Sequence, residues 1–222
     1  MSRPDPGAYL PLYLVTDTRQ CGLRTVAGVA AAAVAGGATV VQVRDKLAPA
    51  RDLLEMLVAV AEAVGDRVPV LVNDRVDIFL AARMAGAPVA GVHVGQSDLG
   101  AELTRALVGP DAVVGLSAAT DAEIMAAHRL PSGTVDYLGV GAIRATATKA
   151  DHPSPIGVAG FGVLAASSAL PCVAIGGIST ADVRQLRNAG AAGVAVVSAI
   201  CAAENPRAAA EELKEEWCHS TL

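Results

Sequence analysis

Polar side chains occur where short apolar segments of this sequence end. The segment at residues 68–74, VPVLVND, is aliphatic until it reaches Asn73 and Asp74, and the next apolar segment leads to Asp98. Two carboxylates and an amide form an oxygen-rich site, and Mg²⁺ typically binds one or two carboxylates together with substrate phosphates and water. Either aspartate alone could cap a helix, but the two together favour a magnesium site.

A second polar group, Gln42, Arg44 and Lys46, ends an earlier segment. Because side chains alternate along a strand, these three lie on the same face. Arg44 could simply pair with a carboxylate for stability, but three polar residues in register favour a site for a charged ligand. Ser117 ends a later segment and is expected to face the same place.

Two more regions have the composition of anion-binding loops. Paired glycines let backbone N–H groups approach an anion without obstruction by a Cβ, although they also suit a tight turn. Hydroxyls and an ammonium group bind phosphate as well. The residues are Gly176 and Gly177 with Val197 and Ser198 late in the chain, and Thr146, Thr148 and Lys149 in the preceding loop.

The overall composition excludes several classes of function. The net charge of −5 argues against an extended nucleic-acid surface. The four cysteines include no C-x-x-C pair, which argues against a zinc site or disulfide framework and favours the cytoplasm. Residues 1–10 lack the apolar run of a signal peptide, and no segment has the uninterrupted apolar length of a membrane span.

The elements that must position these residues alternate between two kinds. Alanine-rich segments with helical periodicity separate eight short, valine-rich segments, and this alternation predicts a parallel sheet. An open doubly wound sheet would normally carry G-x-G-x-x-G after its first strand, which is missing here. We therefore predict a single (β/α)₈ TIM barrel. Its strands would be residues 12–17, 39–45, 68–74, 90–95, 112–117, 137–143, 171–177 and 193–200.

The whole chain, residues 1–222, is expected to form one domain, with residues 1–10 as a flexible N-terminal extension. Active sites of this architecture lie at the carboxyl ends of the strands, and phosphate often binds after strands seven and eight. The polar residues described above would all meet there. His93 is given no role, because a lone histidine within a strand is more often a packed, hydrogen-bonded residue.

Together these residues suit a transferase. The carboxylates with Arg44, Lys46 and Lys149 suit a diphosphate leaving group, and the paired glycines suit a monophosphate. No nucleophile–base pair is evident in the sequence. The expected reaction joins a phosphorylated acceptor to a group carried on diphosphate and releases pyrophosphate.

At these residues the sequence resembles the thiamine-phosphate synthase family. The resemblance extends over nearly the whole chain, from YLVTD to VVSAI, and seven motifs occur in order at the predicted strand ends. They are QVRDK (42–46), VND (72–74), GVHVGQSD (91–98), GLS (115–117), TATK (146–149), AIGGI (174–178) and VVSAI (196–200).

The resemblance implies a reaction and a role for each motif. The family joins 4-amino-2-methyl-5-hydroxymethylpyrimidine diphosphate to a thiazole phosphate by a dissociative mechanism, in which pyrophosphate leaves first. Asp74 and Asp98 would hold Mg²⁺, and catalytic roles would fall to Lys149, Ser117 and Arg44. The pyrimidine diphosphate would contact Gln42, Arg44, Lys46, Asn73, Ser117 and Lys149, and the thiazole phosphate would contact Thr146, Thr148, Gly176, Gly177, Val197 and Ser198.

Two departures from the family pattern could alter how loops close over the substrate. Residues 143–145 read Ile-Arg-Ala where many relatives have Phe-Pro, and Ala119 stands where many have histidine. The open alternatives are a thiazole tautomerase, an epimerase of the ribulose-phosphate type and a non-catalytic thiamine-phosphate sensor. The expected partners are small molecules, with no nucleic acid and no membrane. The alanine-rich helices would also allow a homo-oligomer.

Overall fold

Eight parallel strands form a closed barrel in sequence order, as β1 pairs with both β2 and β8. The computed structural model describes residues 4–145 and 154–219. The predicted (β/α)₈ TIM barrel is therefore confirmed. The strands are β1 Leu12–Val15, β2 Val40–Val43, β3 Val70–Asn73, β4 Gly91–Val94, β5 Val113–Ser117, β6 Tyr137–Val140, β7 Cys172–Ile175 and β8 Gly193–Val196.

Helices surround the barrel, and several begin at a side chain that satisfies free backbone N–H groups. Thr25 caps one helix, Asn205 caps another, and Thr120 forms a capping box with Glu123. The helices are α1 Pro6–Tyr9, α2 Thr18–Cys21, α3 Val26–Ala35, α4 Ala50–Val64, α5 Val76–Met84, α6 Ala101–Val108, α7 Asp121–His128, α8 Gly157–Ser167, α9 Thr180–Asn188, α10 Ser198–Cys201 and α11 Pro206–Cys218.

The apolar core has two parts because side chains alternate between the two sides of the barrel wall. The larger part lies between the strands and the helices, and it is built mainly from valine, alanine and leucine. The smaller part fills the barrel interior and includes Tyr13, Val40, Leu71 and Val173. Among the described residues, no helix combines the length and hydrophobicity needed to cross a bilayer.

The N-terminal segment differs from the prediction of a flexible extension over residues 1–10. Pro6–Tyr9 forms the short helix α1, and Asp5 caps it by accepting from the backbone N–H of Gly7 at 3.1 Å. Tyr9 and Leu10 are only 2% and 0% exposed and belong to the interior cluster. The prediction is wrong for this part, because these two apolar side chains cover the amino-terminal end of the barrel.

Replacing Leu10 with alanine should destabilise the protein by about 2–5 kcal/mol, because it would leave a cavity in the barrel interior. Urea unfolding measures the change. The matched control is Leu23→Ala, since Leu23 is fully exposed and its loss should cost no more than about 0.5 kcal/mol. Equal costs for the two variants would contradict the buried position of Leu10.

Candidate active site

A cavity of about 410 Å³ opens at the carboxyl ends of the strands. Side chains or backbone from every strand or the loop after it line this cavity. The predicted site residues that the structure brings together there are Gln42, Arg44, Lys46, Asn73, Asp74, Asp98, Ser117, Gly176, Gly177, Val197 and Ser198. Thr146, Thr148 and Lys149 lie outside the described residues.

The carboxylates of Asp74 and Asp98 lie close together on one side of the cavity. Asp74 has a φ of 62°, a left-handed conformation that is uncommon for residues other than glycine and asparagine. The Lys46 ammonium lies 3.5 Å from Asp74 Oδ2, and Asp98 Oδ2 accepts a 2.8 Å hydrogen bond from the Gly95 backbone N–H. Burial first, and then the neighbouring Asp98, raise the pKa of Asp74 despite the opposing effect of Lys46.

This donor set fits a hard divalent cation. Among the described residues there is no cluster of three acidic, histidine or cysteine side chains, so the protein supplies two carboxylates. Mg²⁺ commonly uses such a pair and completes its shell with water and substrate phosphate. A cation here would also relieve the repulsion that raises the pKa of Asp74.

Arg44 and Lys46 provide positive charge near these carboxylates. Arg44 Nη1 lies 3.6 Å from Asp17 Oδ2, and the Arg44 side chain is only 13% exposed. Its backbone N–H donates to Thr16 Oγ1 at 3.1 Å, which fixes the start of the loop. The Lys46 side chain is 53% exposed and therefore freer to follow a ligand. The rim of the cavity thus has one cationic side chain that is held in place, Arg44, and one that is free to move, Lys46.

A chain of hydrogen-bonded, largely buried side chains crosses the floor of the cavity. Gln42 Nε2 donates to Tyr13 Oη at 2.7 Å, and Tyr13 Oη lies 2.7 Å from Tyr137 Oη. The Tyr137 hydroxyl lies 2.9 Å from His93 Nδ1, and His93 Nε2 lies 3.0 Å from Ser117 Oγ. All five side chains line the cavity, and Gln42 and Ser117 are the two ends of the chain.

Two glycines provide the space for this chain. His93, Gly115 and Tyr137 occupy one row across β4, β5 and β6. A Cβ on Gly115 would lie 2.3 Å from Tyr137 Oη and 2.4 Å from His93 Nδ1, and a Cβ on Gly139 would lie 3.0 Å from His93 Cε1. The interior can hold two rings side by side because neighbouring positions have no side chain.

Opposite the carboxylates, the loop after β7 turns sharply at two glycines. Gly176 and Gly177 have φ values of 102° and 65°, and a Cβ on Gly176 would lie 2.7 Å from Ala142 Cβ. The loop leads into α9, where Ser179 and Asp182 form a capping box. Backbone N–H groups near a helix N-terminus suit an anion, so this side can receive a phosphate.

Comparison with known proteins identifies the family of this chain. The thiamine monophosphate synthase family model matches residues 12–200. This chain belongs to that family. A thiamine-phosphate synthase from Psychrobacter sp. (strain PRwf-1) is 45% identical over 204 residues, covering 92% of this chain and 93% of the relative. The thiamine-phosphate synthase of Xanthobacter autotrophicus is 48% identical over 208 residues, covering 92% and 94%.

A solved structure extends the similarity to the fold. The thiamine phosphate pyrophosphorylase from Pyrococcus furiosus superposes with a TM-score of 0.82 at 32% identity, covering 95% of this chain and 96% of that one. An orotidine 5'-phosphate decarboxylase from Pyrococcus horikoshii reaches a TM-score of 0.66 at 15% identity, a similarity of fold alone.

The first departure from the family pattern forms contacts of its own. The Arg144 guanidinium donates to the Asp182 carboxylate, with Nε 2.9 Å from Oδ1, and this pairing lowers the pKa of Asp182. Asp182 Oδ2 also accepts from the Ser179 hydroxyl at 2.8 Å. Arg144 therefore holds the start of the loop after β6 against the N-terminus of α9, beside the glycine turn.

The second departure is accommodated locally. The Ala119 backbone N–H donates to Glu123 Oε2 at 2.5 Å, so the carboxylate that caps α7 also orders the loop after β5. The Gln96 amide donates to the Ser117 carbonyl oxygen at 2.6 Å and ties this loop to the one after β4. The position that many family members give to histidine is thus stabilised by contacts with its neighbours.

Sequence reasoning missed three residues of the site. His93 was given no role, yet it contacts Ser117, and neither Tyr13 nor Tyr137 was selected. One signal was available. Val15 pairs with Gln42, so the two face the same side of the barrel wall, and Tyr13, two residues before Val15, faces that side as well. The hydrogen bonds among these residues depend on distances across the barrel that one strand does not reveal.

Asp74→Asn should raise the melting temperature of the metal-free protein at pH 7. The folded-state pKa of Asp74 is raised, so its charge is a cost above that pKa, and asparagine removes the charge while tolerating the left-handed backbone. As the pH falls through this raised pKa towards the ordinary value of 3.8, the Asp74 carboxyl of the folded parent becomes protonated. The difference in melting temperature between Asp74→Asn and the parent should then vanish.

Thermal unfolding in EDTA across this pH range measures the difference between the variant and its parent. Asp111→Asn is the matched control, because Asp111 is exposed and precedes β5 at the opposite end of the barrel. A lower melting temperature for Asp74→Asn than for the parent at pH 7 would contradict the proposed electrostatic cost.

Proposed function

We propose that this protein is a thiamine-phosphate synthase. It would join 4-amino-2-methyl-5-hydroxymethylpyrimidine diphosphate to thiazole phosphate and release thiamine phosphate and pyrophosphate. The observation that carries the proposal is one cavity with two different sides that each suit an anion. Paired carboxylates with Arg44 and Lys46 lie at one side, and the Gly176–Gly177 turn lies at the other. The names of the relatives support the same reaction.

Asp74 and Asp98 would hold Mg²⁺, and Asn73 would contact the pyrimidine diphosphate beside them. The ion would neutralise charge on the diphosphate as it becomes a leaving group. The raised pKa of Asp74 and the proximity of Asp98 support this assignment, since two close carboxylates gain most from a bound cation. Arg44 and Lys46 would add charge from the protein.

The reaction would break the bond between the pyrimidine methylene carbon and the diphosphate oxygen first. Gln42 and Ser117 would hold the aminopyrimidine ring, whose electrons stabilise the resulting cation. Arg44, Ser117 and Lys149 would act on the departing diphosphate, which keeps the bonding electron pair. The thiazole nitrogen would then form the new carbon–nitrogen bond with its lone pair, so the step requires no general base.

The second substrate would bind on the glycine side of the cavity. Backbone N–H groups at Gly176, Gly177, Val197 and Ser198 would hold the thiazole phosphate, and Thr146 and Thr148 would lie beside it. The positive φ angles of both glycines and their position ahead of α9 support this assignment. The Arg144–Asp182 pair would keep the turn in place.

We also propose that the reaction occurs in the cytoplasm. All four cysteines are free thiols, which suits a reducing compartment. Assembly into a homo-oligomer stays a prediction from the alanine-rich helices.

Purified protein should release pyrophosphate only when both substrates and Mg²⁺ are present. A coupled pyrophosphate assay with each component left out in turn measures this requirement. Binding of thiazole phosphate without pyrophosphate release would contradict the synthase assignment and favour a tautomerase. Binding of thiamine phosphate with no turnover would instead favour a sensor.

Lys46→Ala and Asp98→Ala should each lower turnover at least about tenfold, because each removes stabilisation of the departing diphosphate. The assay above measures turnover, and circular dichroism checks the fold. Lys214→Ala on α11 and Asp111→Ala are the matched controls, since both residues are exposed and lie outside the cavity lining. Near-parental turnover in both site variants would contradict the site assignment.

A further inference from the structure

The hydrogen bonds along the floor of the cavity suggest a basis for substrate selection. The interior chain is defined here as Gln42, Tyr13, Tyr137, His93 and Ser117. We propose that this chain fixes which cavity-facing group accepts and which donates, and so selects a 4-aminopyrimidine over a 4-oxopyrimidine. The inference deepens the proposed function and rests on it, because it assumes that a pyrimidine ring lies between Gln42 and Ser117.

Each hydroxyl in the chain has one proton to donate. Tyr13 and Tyr137 are 1% and 0% exposed, and burial raises the pKa of both. Both therefore remain protonated at neutral pH. A hydroxyl that accepts from one neighbour must donate to the other, so the direction of each hydrogen bond fixes the direction of the next.

The chain starts at the Gln42 amide, which donates to Tyr13. Tyr13 then donates to Tyr137, and Tyr137 donates to His93 Nδ1. The remaining proton of neutral His93 is on Nε2, which donates to Ser117 Oγ. In this direction the Ser117 hydroxyl is left to donate into the cavity. Among the described residues, the Gln42 side-chain carbonyl has no hydrogen-bond donor, so it is left to accept there.

Reversing one end requires reversing the whole chain. If the Gln42 carbonyl faced Tyr13, every hydroxyl would turn round and His93 would carry its proton on Nδ1. The groups that face the cavity would then be an amide donor at Gln42 and a hydroxyl acceptor at Ser117. A mixed arrangement would leave two buried donors or two buried acceptors facing each other, which low-dielectric interiors penalise.

The two directions suit different rings. In a 4-aminopyrimidine the exocyclic amino group donates and the ring nitrogens accept, whereas a 4-oxopyrimidine has a carbonyl acceptor next to a ring N–H donor. An accepting Gln42 carbonyl and a donating Ser117 hydroxyl match the amino ring. The oxo ring would need the reversed chain and a rotated Gln42 amide. His93, Tyr13 and Tyr137 are therefore positioning residues for ring selection.

The histidine tautomer tests the direction in the wild-type protein without any substrate. Nitrogen-15 NMR should find the proton of neutral His93 on Nε2. His128 is an internal reference for the other tautomer, because its Nε2 accepts from the Ala169 backbone N–H at 2.9 Å. A proton on Nδ1 of His93 would overturn the proposed direction.

Ring selection is tested by calorimetry with Mg²⁺ and the diphosphates of the 4-amino and 4-oxo pyrimidines. The wild type should bind the amino compound at least about tenfold more tightly. Tyr137→Phe keeps the ring but interrupts the chain, and it should reduce that ratio about tenfold. Tyr9→Phe is the matched control, because it removes a hydroxyl from the same interior cluster but not from the chain.

The outcomes separate this inference from the proposed function. If Tyr137→Phe lowered the affinity for both pyrimidine diphosphates equally, the interior chain would have a purely structural role and the inference would be overturned. A wild type that binds both rings equally would overturn it as well. Failure to release pyrophosphate, with the amino preference and the Nε2–H tautomer intact, would instead contradict the synthase reaction and leave the ring selection standing.

Discussion

The closed parallel barrel imposes one constraint on which everything else depends. Every second side chain of each strand must point into the barrel, and strand pairing places these side chains in rows. The barrel interior includes the aliphatic residues Val40, Leu71 and Val173. In the row across β4, β5 and β6, His93 and Tyr137 lie on either side of Gly115, which has no side chain. Polar and aliphatic side chains thus share the interior of the barrel.

Polar groups in the barrel interior each require a partner, because a buried polar group without a hydrogen bond is costly. The interior chain meets this requirement by connecting side chains from β1, β2, β4, β5 and β6. Two tyrosines contribute ring area to the interior cluster and hydroxyls to the chain, so the same residues fill space and transmit hydrogen-bond direction. If the proposed ring selection holds, packing and ligand recognition share one set of side chains.

The sequence was sufficient to predict the eight strands, the barrel and eleven of the residues that line the cavity. These follow from local rules, since alternation places Gln42 on the inward face of β2 and glycines mark the turn after β7. Helix α1 was missed because a Pro-Gly-containing start reads as a loop, and only the open end of the barrel makes Tyr9 and Leu10 core residues. Most strands were also predicted too long at their carboxyl ends, because those residues belong to the loops that follow.

Contacts between distant loops were beyond sequence reasoning for a different reason. Arg144 and Asp182 are 38 residues apart, and their pairing depends on β6 and β7 being neighbours with matching heights. The proximity of Asp74 and Asp98 was expected from the sequence, but the raised pKa of Asp74 was not, because it depends on burial and on repulsion by Asp98 in the folded protein. This repulsion and the left-handed backbone of Asp74 both destabilise the free protein. In the proposed synthase a bound cation would remove the electrostatic part, so the free energy lost at this corner of the cavity would be recovered as affinity for the metal.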